Sequence, residues 1–155
     1  MLETVVRQHL AGIPDKRIAK AVTKALETMF DPDGAGQGMV VTVPLTATDA
    51  TRTVFIANRA MRLKAVSRIF STASTSGTVT VSKDTGTAAP GAGTALLTAV
   101  VALSGTANTV VNGTLISNTG TLTLAAGDRI AIVIAGTMTN LAGGILTLSL
   151  QPAAA

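Results

Sequence analysis

Residues that could do chemistry are few in this sequence, and they lie far apart. His9 is the single histidine, and the chain has no cysteine, which excludes disulfides, thiolate nucleophiles and thiolate metal sites. A Ser-His-Asp arrangement needs a nucleophile and a carboxylate around the histidine, and the short segment around His9 offers no such cluster. Asp84 and Asp128 fall in separate turns, which makes them a weak pair for acid and base catalysis. We therefore expect no enzymatic activity.

Two glycine-rich stretches resemble ligand-binding loops, and both patterns are incomplete. DPDGAG places Asp31 and Asp33 two residues apart before a glycine, as a calcium loop begins. The later ligand positions of such a loop hold Ala35, Gln37 and Thr42 instead of oxygen ligands and a final Glu. The glycines of GAGQG and PGAG lack the Lys-Ser/Thr pair of a phosphate-binding loop. We expect no metal and no cofactor.

Nucleic acid and membrane are also poor candidates for partners. The three aromatic residues, Phe30, Phe55 and Phe70, do not provide the stacking platform that single-stranded nucleic acids require. The apolar run ALLTAVVAL (95–103) is much shorter than the ~20 residues of a membrane-spanning helix. The first twelve residues carry Glu3 and lack the continuous apolar core of a secretory signal. We expect neither partner.

Charged residues are concentrated in the first 70 positions, which hold all but Lys83 and Arg129 of the 12 Lys and Arg residues. No charged residue lies between Thr85 and Gly127. A monomer normally solvates its surface with many more charges. The pattern favours burial of this half against other subunits, and we expect a homotrimer. The alternative is a stable monomer with a threonine-rich exterior.

The N-terminal part is expected to form one amphipathic helix. PDKRIAKAVTKALETMF (14–30) has a proline and an acid in its first turn, and lysines lie off its apolar side. One helical stripe contains Ile18, Val22, Ala25, Leu26 and Met29. DPDGAGQG (31–38) ends the helix. We expect residues 1–37 to be a helical arm with a glycine-rich linker, and residues 38–155 to be a β-domain.

From Met39 onward, apolar residues recur with the period of two that is typical of strands. The predicted strands are 39–45, 52–58, 61–70, 77–83, 94–104, 109–117, 120–126, 129–136 and 144–151. Short strands without intervening helices indicate an antiparallel sandwich or barrel. The residues expected in its core are Val79, Val81, Leu122, Leu124, Ile130, Ile132, Ile134, Leu146, Leu148 and Leu150. Gly127-Asp128 is expected to be the turn of a hairpin, with Asp128 serving the turn.

A family resemblance lies in three stretches: TVTVSKDTGTAAPGAGTALL, LTLAAGDRIAIVIAGT and GGILTLSLQP. Together, over roughly residues 61–152, they resemble the β-domain of capsid cement (decoration) proteins and head-fibre proteins of tailed bacteriophages. AAGDRIAI is also similar to the closing strands of C1q-like and tumour-necrosis-factor-like trimers. The resemblance implies a trimeric jelly roll on the outer capsid surface that clamps neighbouring major capsid subunits. It implies no catalytic residue.

The capsid-docking residues are expected in the N-terminal stripe and in one basic strand. The stripe has no evident partner in the β-domain, and Arg62, Lys64 and Arg68 share one strand face if alternation is regular. The expected docking set is Ile18, Val22, Leu26, Met29, Arg62, Lys64 and Arg68.

The alternative to the basic patch is an ordinary solvated strand face. The alternative function is a trimeric receptor- or glycan-binding module of a fibre, although the absence of Trp and Tyr weighs against sugar binding.

Overall fold

The β-domain contains ten strands in the computed structural model, which describes residues 38–153. The strands are β1 (Met39–Leu45), β2 (Arg52–Ile56), β3 (Met61–Ile69), β4 (Thr78–Asp84), β5 (Thr94–Ala95), β6 (Val101–Ala102), β7 (Val111–Gly113), β8 (Thr123–Leu124), β9 (Arg129–Ala135) and β10 (Gly144–Pro152). The predicted mainly-β class is confirmed. The helix expected over residues 14–30 and the arm of residues 1–37 lie outside the described residues.

The strands form two antiparallel five-stranded sheets. Sheet A has the order β1-β10-β3-β7, and β8 also pairs with β3. Sheet B has the order β2-β9-β4-β5, and β6 also pairs with β4. A single apolar cluster takes Leu63 and Leu148 from sheet A together with Val81 and Ile132 from sheet B. The inner faces of the two sheets therefore share one core.

The predicted core is confirmed at nine of its ten positions as buried, because strict alternation turns one side of each long strand inward. The tenth, Ile134, is partly buried against the same cluster near the end of β9. Leu45, Met61 and Phe70 add large buried side chains that were not predicted.

Three predicted strands are much shorter than expected. The 94–104 segment contains only β5 and β6, and the 109–117 and 120–126 segments contain only β7 and β8. Leu96 and Leu97 are adjacent and both buried, and they lie between β5 and β6 instead of within a strand. Leu97 instead bridges Leu115, so the chain leaves its sheet there to meet the segment that follows β7.

The hairpin predicted around Gly127-Asp128 is wrong. β8 pairs with β3 in sheet A, whereas β9 pairs with β2 and β4 in sheet B, so the turn carries the chain from one sheet to the other. The predicted role of Asp128 is confirmed. Its carboxylate accepts a hydrogen bond of 2.8 Å from the Ala125 amide, and Gly127 takes the positive φ of 91° that the turn requires.

Backbone hydrogen bonds close one side of the sandwich. The Ile116 amide donates to the Leu96 carbonyl over 3.1 Å, and the Thr98 amide donates to the Thr114 carbonyl over 2.9 Å. On the opposite side, the Arg52 guanidinium donates to the Pro44 carbonyl over 3.0 Å and forms an ion pair with Asp49 at 2.7 Å. These contacts fix how the two sheets lie against each other.

Candidate interaction surface

A β-bulge in β3 decides which of its basic residues reach the surface. In the pairing of β10 with β3, Ser149 is opposite Ala65 and Leu150 is opposite Leu63, so Lys64 is an extra residue. Lys64 and Ala65 are both exposed, between buried Leu63 and buried Val66. The bulge therefore reverses the alternation of all residues that follow it.

Arg68 is turned into the protein by this reversal, and its predicted place beside Arg62 and Lys64 is wrong. Its side chain is buried, with 5% exposure, and its guanidinium lies 4.4 Å from the centre of the Phe70 ring. It donates hydrogen bonds to the carbonyls of Ala102 over 2.9 Å and Thr109 over 3.2 Å. Burial lowers the pKa of the Arg68 guanidinium below its usual value. Arg68 connects β3 to β6 and to the segment before β7, which is a structural role.

Arg62 and Lys64 remain on the outer face of sheet A, so two of the three predicted cations do share a surface. Lys64 is exposed in the bulge, and Arg62 is half-buried in register with Gln151. The Arg62 Nε is buried and has no hydrogen-bond partner among the described residues. Ile18, Val22, Leu26 and Met29 lie outside the described residues.

Away from these two cations, the outer face of sheet A is uncharged and partly apolar. Val40 is 64% exposed and Ile145 is 38% exposed. Pro44 and Ile69 stand beside Ile145 on the neighbouring strands. The middle of the face is made of Thr42, Thr147 and Ser67, with the Ser67 and Thr147 hydroxyls hydrogen-bonded to each other. An uncharged face with exposed apolar residues at both ends of a polar centre is a candidate surface for contact with another structure.

The outer face of sheet B is covered around β4 and β9 by the 85–93 loop that joins β4 to β5, whereas Ile56 on edge strand β2 remains 64% exposed. Ala131 lies between inward-facing Ile130 and Ile132 and so points outward, yet its exposure is 0%. A Cβ added to Gly91 would lie 2.7 Å from the Val133 Cγ2 atom and 3.0 Å from that of Thr51. Only a glycine permits this approach of the loop to the sheet, and its φ of 82° also favours glycine.

Asp84 and Arg129 hold this loop in place. The buried Asp84 carboxylate accepts hydrogen bonds of 2.9 Å from the amides of both Gly91 and Gly93, and one of 3.1 Å from the Ser82 hydroxyl. Arg129 is opposite Asp84 in the β4–β9 pairing, and its guanidinium donates to the Gly86 and Ala88 carbonyls over 3.0 and 2.8 Å. Asp84 therefore has a structural role, in which both of its carboxylate oxygens accept hydrogen bonds.

Sequence reasoning found Arg62 and Lys64 but missed the apolar part of the surface. Ile145 could have been found from its position, because it is the outward neighbour of Leu146 in a strictly alternating strand. The same reasoning identifies Val40 in β1. The bulge at Lys64 leaves no mark in the sequence of β3 alone.

The described residues contain no group of three or more His, Cys, Asp or Glu side chains that could hold a metal ion. Within residues 38–153 there is no helix long and apolar enough to cross a membrane. The arrangement on sheet A is suited to contact between macromolecules, since it offers a broad face with two cations at one end.

Comparison with known proteins yields no family. No protein-family model matches the chain, and no curated protein matches it. One similar solved structure is that of infectious bursal disease virus Gt strain, with 18% identity, a TM-score of 0.30, and coverage of 76% of this chain and 30% of that chain. Another is that of infectious bursal disease virus Gx strain, with 15% identity, a TM-score of 0.31, and coverage of 77% and 38%. This chain thus spans about a third of the length of those proteins. Their TM-scores are too low to indicate a function for it.

Proposed function

We propose that this protein is a structural virion protein, a cement (decoration) protein that binds the outer surface of a phage head as a homotrimer. It would stabilise contacts between major capsid subunits and would have no enzymatic activity. A ligand that binds only the assembled shell stabilises that shell by mass action. The observation that carries the proposal is the pair of cations, Arg62 and Lys64, at one end of an outer face of sheet A that is otherwise uncharged.

The strand order supports the jelly-roll part of this proposal. β5 and β6 both pair with β4, and β7 and β8 both pair with β3, so each pair can be taken as one interrupted strand. The resulting eight strands alternate between the sheets except for one adjacent pair in sheet B. Eight strands in two antiparallel sheets with such crossing connections are typical of a jelly roll. The sequence resemblance over residues 61–152 independently implies the same fold.

Trimer formation is supported by the polarity of the surface. The 85–93 loop and the segments up to Gly127 carry no charge, and Val100 and Val110 are 58% and 62% exposed. Closed packing of copies would cover such surfaces without leaving an open edge that aggregates. Analytical ultracentrifugation of the full chain should give the mass of a trimer at micromolar concentration, and a monomer would contradict this part of the proposal.

Capsid docking is proposed for Arg62 and Lys64, without Arg68. Two cations on an otherwise uncharged face would orient the protein on an acidic capsid surface and accelerate its attachment. Such attachment depends on salt, because screening shortens the reach of a charge to about 8 Å at physiological ionic strength.

The test is co-sedimentation of the full chain with undecorated phage heads at two salt concentrations. The variant Arg62→Ala/Lys64→Ala should bind more weakly, and the difference from the wild type should shrink at high salt. Arg52→Ala is the control, because Asp49 already neutralises Arg52 on another part of the surface; since Arg52 also donates to the Pro44 carbonyl, circular dichroism first confirms that this variant is folded. Unchanged binding by the double variant would contradict the docking proposal.

Copy number in purified virions separates cement from the alternative of a fibre module. Hundreds of copies per particle are expected of a protein that covers the capsid lattice. A few copies per particle would instead favour the receptor- or glycan-binding module.

A further inference from the structure

The uncovered face of sheet A changes how the N-terminal stripe should be interpreted. The stripe is expected to bind the capsid only if the β-domain offers it no free apolar surface. Sheet A nevertheless exposes Val40, Pro44 and Ile145 on its outer face. On sheet B the 85–93 loop covers the region around Val133, and the exposed Ile56 of edge strand β2 stands beside a charged residue, Arg129. An intramolecular partner for the stripe is therefore available.

We propose that the segment of residues 14–30 packs on the outer face of sheet A of its own chain. Its stripe of Ile18, Val22, Leu26 and Met29 would cover the row formed by Pro44, Ile145 and Ile69 and the small polar side chains beside it. Burial of apolar surface on both partners is the driving force.

The point at which the chain enters the sheet places the segment within reach of this face. Gly38 lies against Leu150 and Gln151 of β10, at the end of sheet A where Arg62 is found. Residues 31–37 separate the segment from Gly38, and when extended they span about 25 Å. The seven residues of β1 span about 23 Å. The linker therefore reaches any point along the face.

The segment also matches the face in size. As a helix, residues 14–30 would be roughly 25 Å long and about 10 Å wide. The nine residues of β10 span about 30 Å, and strands lie about 4.8 Å apart. One such helix would cover β10 together with one neighbouring strand. Thr147 and Ser67 at the centre are small, which permits close packing.

The distribution of charge agrees with packing of the stripe against sheet A. The centre of the face carries no charge to be buried, and the stripe carries none. Lys16, Lys20 and Lys24 lie off the stripe, so they would point outward when the stripe packs on the sheet. They would then extend the basic surface of Arg62 and Lys64 into one larger patch. This last consequence depends on the proposed docking function, whereas the packing of the segment does not.

The first test measures alkylation of single cysteines in the full chain without phage heads. The protein has no native cysteine, so Ile145→Cys and Ile56→Cys each give one thiol, and Ile56 is 64% exposed on sheet B, outside the surfaces proposed for the trimer. Ile145→Cys should react at least about tenfold more slowly than Ile56→Cys, which corresponds to a docking free energy of about 1.4 kcal/mol. Adding Leu26→Asp should remove the difference, and adding Lys24→Asp should leave it.

Circular dichroism on each variant confirms that the β-domain is folded. Equal rates at the two thiols would overturn the proposal. Slow reaction at Ile145→Cys that Leu26→Asp does not relieve would also overturn it, because another surface would then cover the face.

A second test distinguishes the chain's own segment from that of a neighbouring copy. Val22→Cys/Thr147→Cys is treated with a short bismaleimide and run on a denaturing gel. A cross-linked single chain is expected, and a cross-linked dimer would overturn packing within one chain. Val22→Cys/Ile56→Cys is the control that should not cross-link, because Ile56 is on sheet B, away from the outer face of sheet A. Because neither test involves heads, their failure is distinguishable from failure of the docking proposal.

Discussion

On the outer face of sheet B, Ala131 is fully buried between Arg129 and Val133, which both contact the 85–93 loop, whereas on the outer face of sheet A Ile145 keeps 38% of its surface exposed. Both Ala131 and Ile145 lie on long central strands, and both sheets bury their inner faces in the same core. The two faces differ because strand β4 of sheet B continues into the 85–93 loop, and Asp84 and Arg129 hold that loop on the sheet by hydrogen bonds.

The difference shows that an uncharged sheet face can be covered either by a loop of the same sheet or by another segment or molecule. Ordering a loop costs conformational entropy, and here hydrogen bonds to a buried carboxylate and to a guanidinium offset that cost. Sheet A has no such anchored loop among the described residues, so its cover has to come from another segment or another molecule. Four predictions test this comparison.

The largest effect is expected from Ile132→Asp, on the inner face that the two sheets share. Ile132 is 0% exposed, and an unpaired carboxylate there costs more than about 5 kcal/mol, which is comparable to the stability of a whole domain. The variant should not fold, as judged by circular dichroism. Thr147→Asp, on the outer face of sheet A, is the control that should fold. A folded Ile132→Asp protein would mean that β9 has its faces reversed.

Ala131→Lys tests the cover on sheet B directly. A lysine there has to displace the 85–93 loop or bury its charge, so we expect a loss of about 3 kcal/mol in the free energy of unfolding. The matched variant is Ala65→Lys on the exposed outer face of sheet A, which should change stability by about 0.5 kcal/mol or less. Urea denaturation measures both. If both variants lost the same free energy of unfolding, the outer face of sheet B would not be covered at Ala131.

Asp84→Asn tests the anchor of the loop. The substitution keeps the shape of the side chain but replaces one acceptor oxygen with an NH2 donor, so either the Gly91 or the Gly93 amide loses its acceptor, with an expected cost of about 2 kcal/mol. Asp128→Asn is the control, because Asp128 accepts one hydrogen bond in an exposed turn. Chemical denaturation gives both values, and hydrogen exchange at Gly91 and Gly93 should accelerate only in Asp84→Asn.

Arg68→Met tests the corrected placement of the third basic residue. Methionine keeps much of the apolar length but loses the hydrogen bonds to Ala102 and Thr109 and the contact with the Phe70 ring. A loss of about 2 kcal/mol is expected. Lys64→Met, on the exposed bulge, should leave the stability nearly unchanged. If Arg68→Met does not change the free energy of unfolding, the Arg68 side chain would have to lie on the surface.

Much of the fold could be read from the sequence where strands are long and regular. The alternation in β4, β9 and β10 identifies both the strands and the residues that they bury, since period two has no other simple explanation. The short strands β5 to β8 could not be predicted, because they exist through pairing with β3 and β4 and not through their own pattern.

The sequence by itself determined the β class, most of the core and the absence of charge between Thr85 and Gly127. Only the tertiary structure decided that β8 and β9 belong to different sheets, that Arg68 points inward, and that Ala131 is buried on the outer face of sheet B while the other residues of 38–153 leave Ile145 exposed on that of sheet A. The physical reason is that local pattern fixes which residues alternate, whereas the bulge at Lys64 and the cover on Ala131 depend on segments distant in the chain.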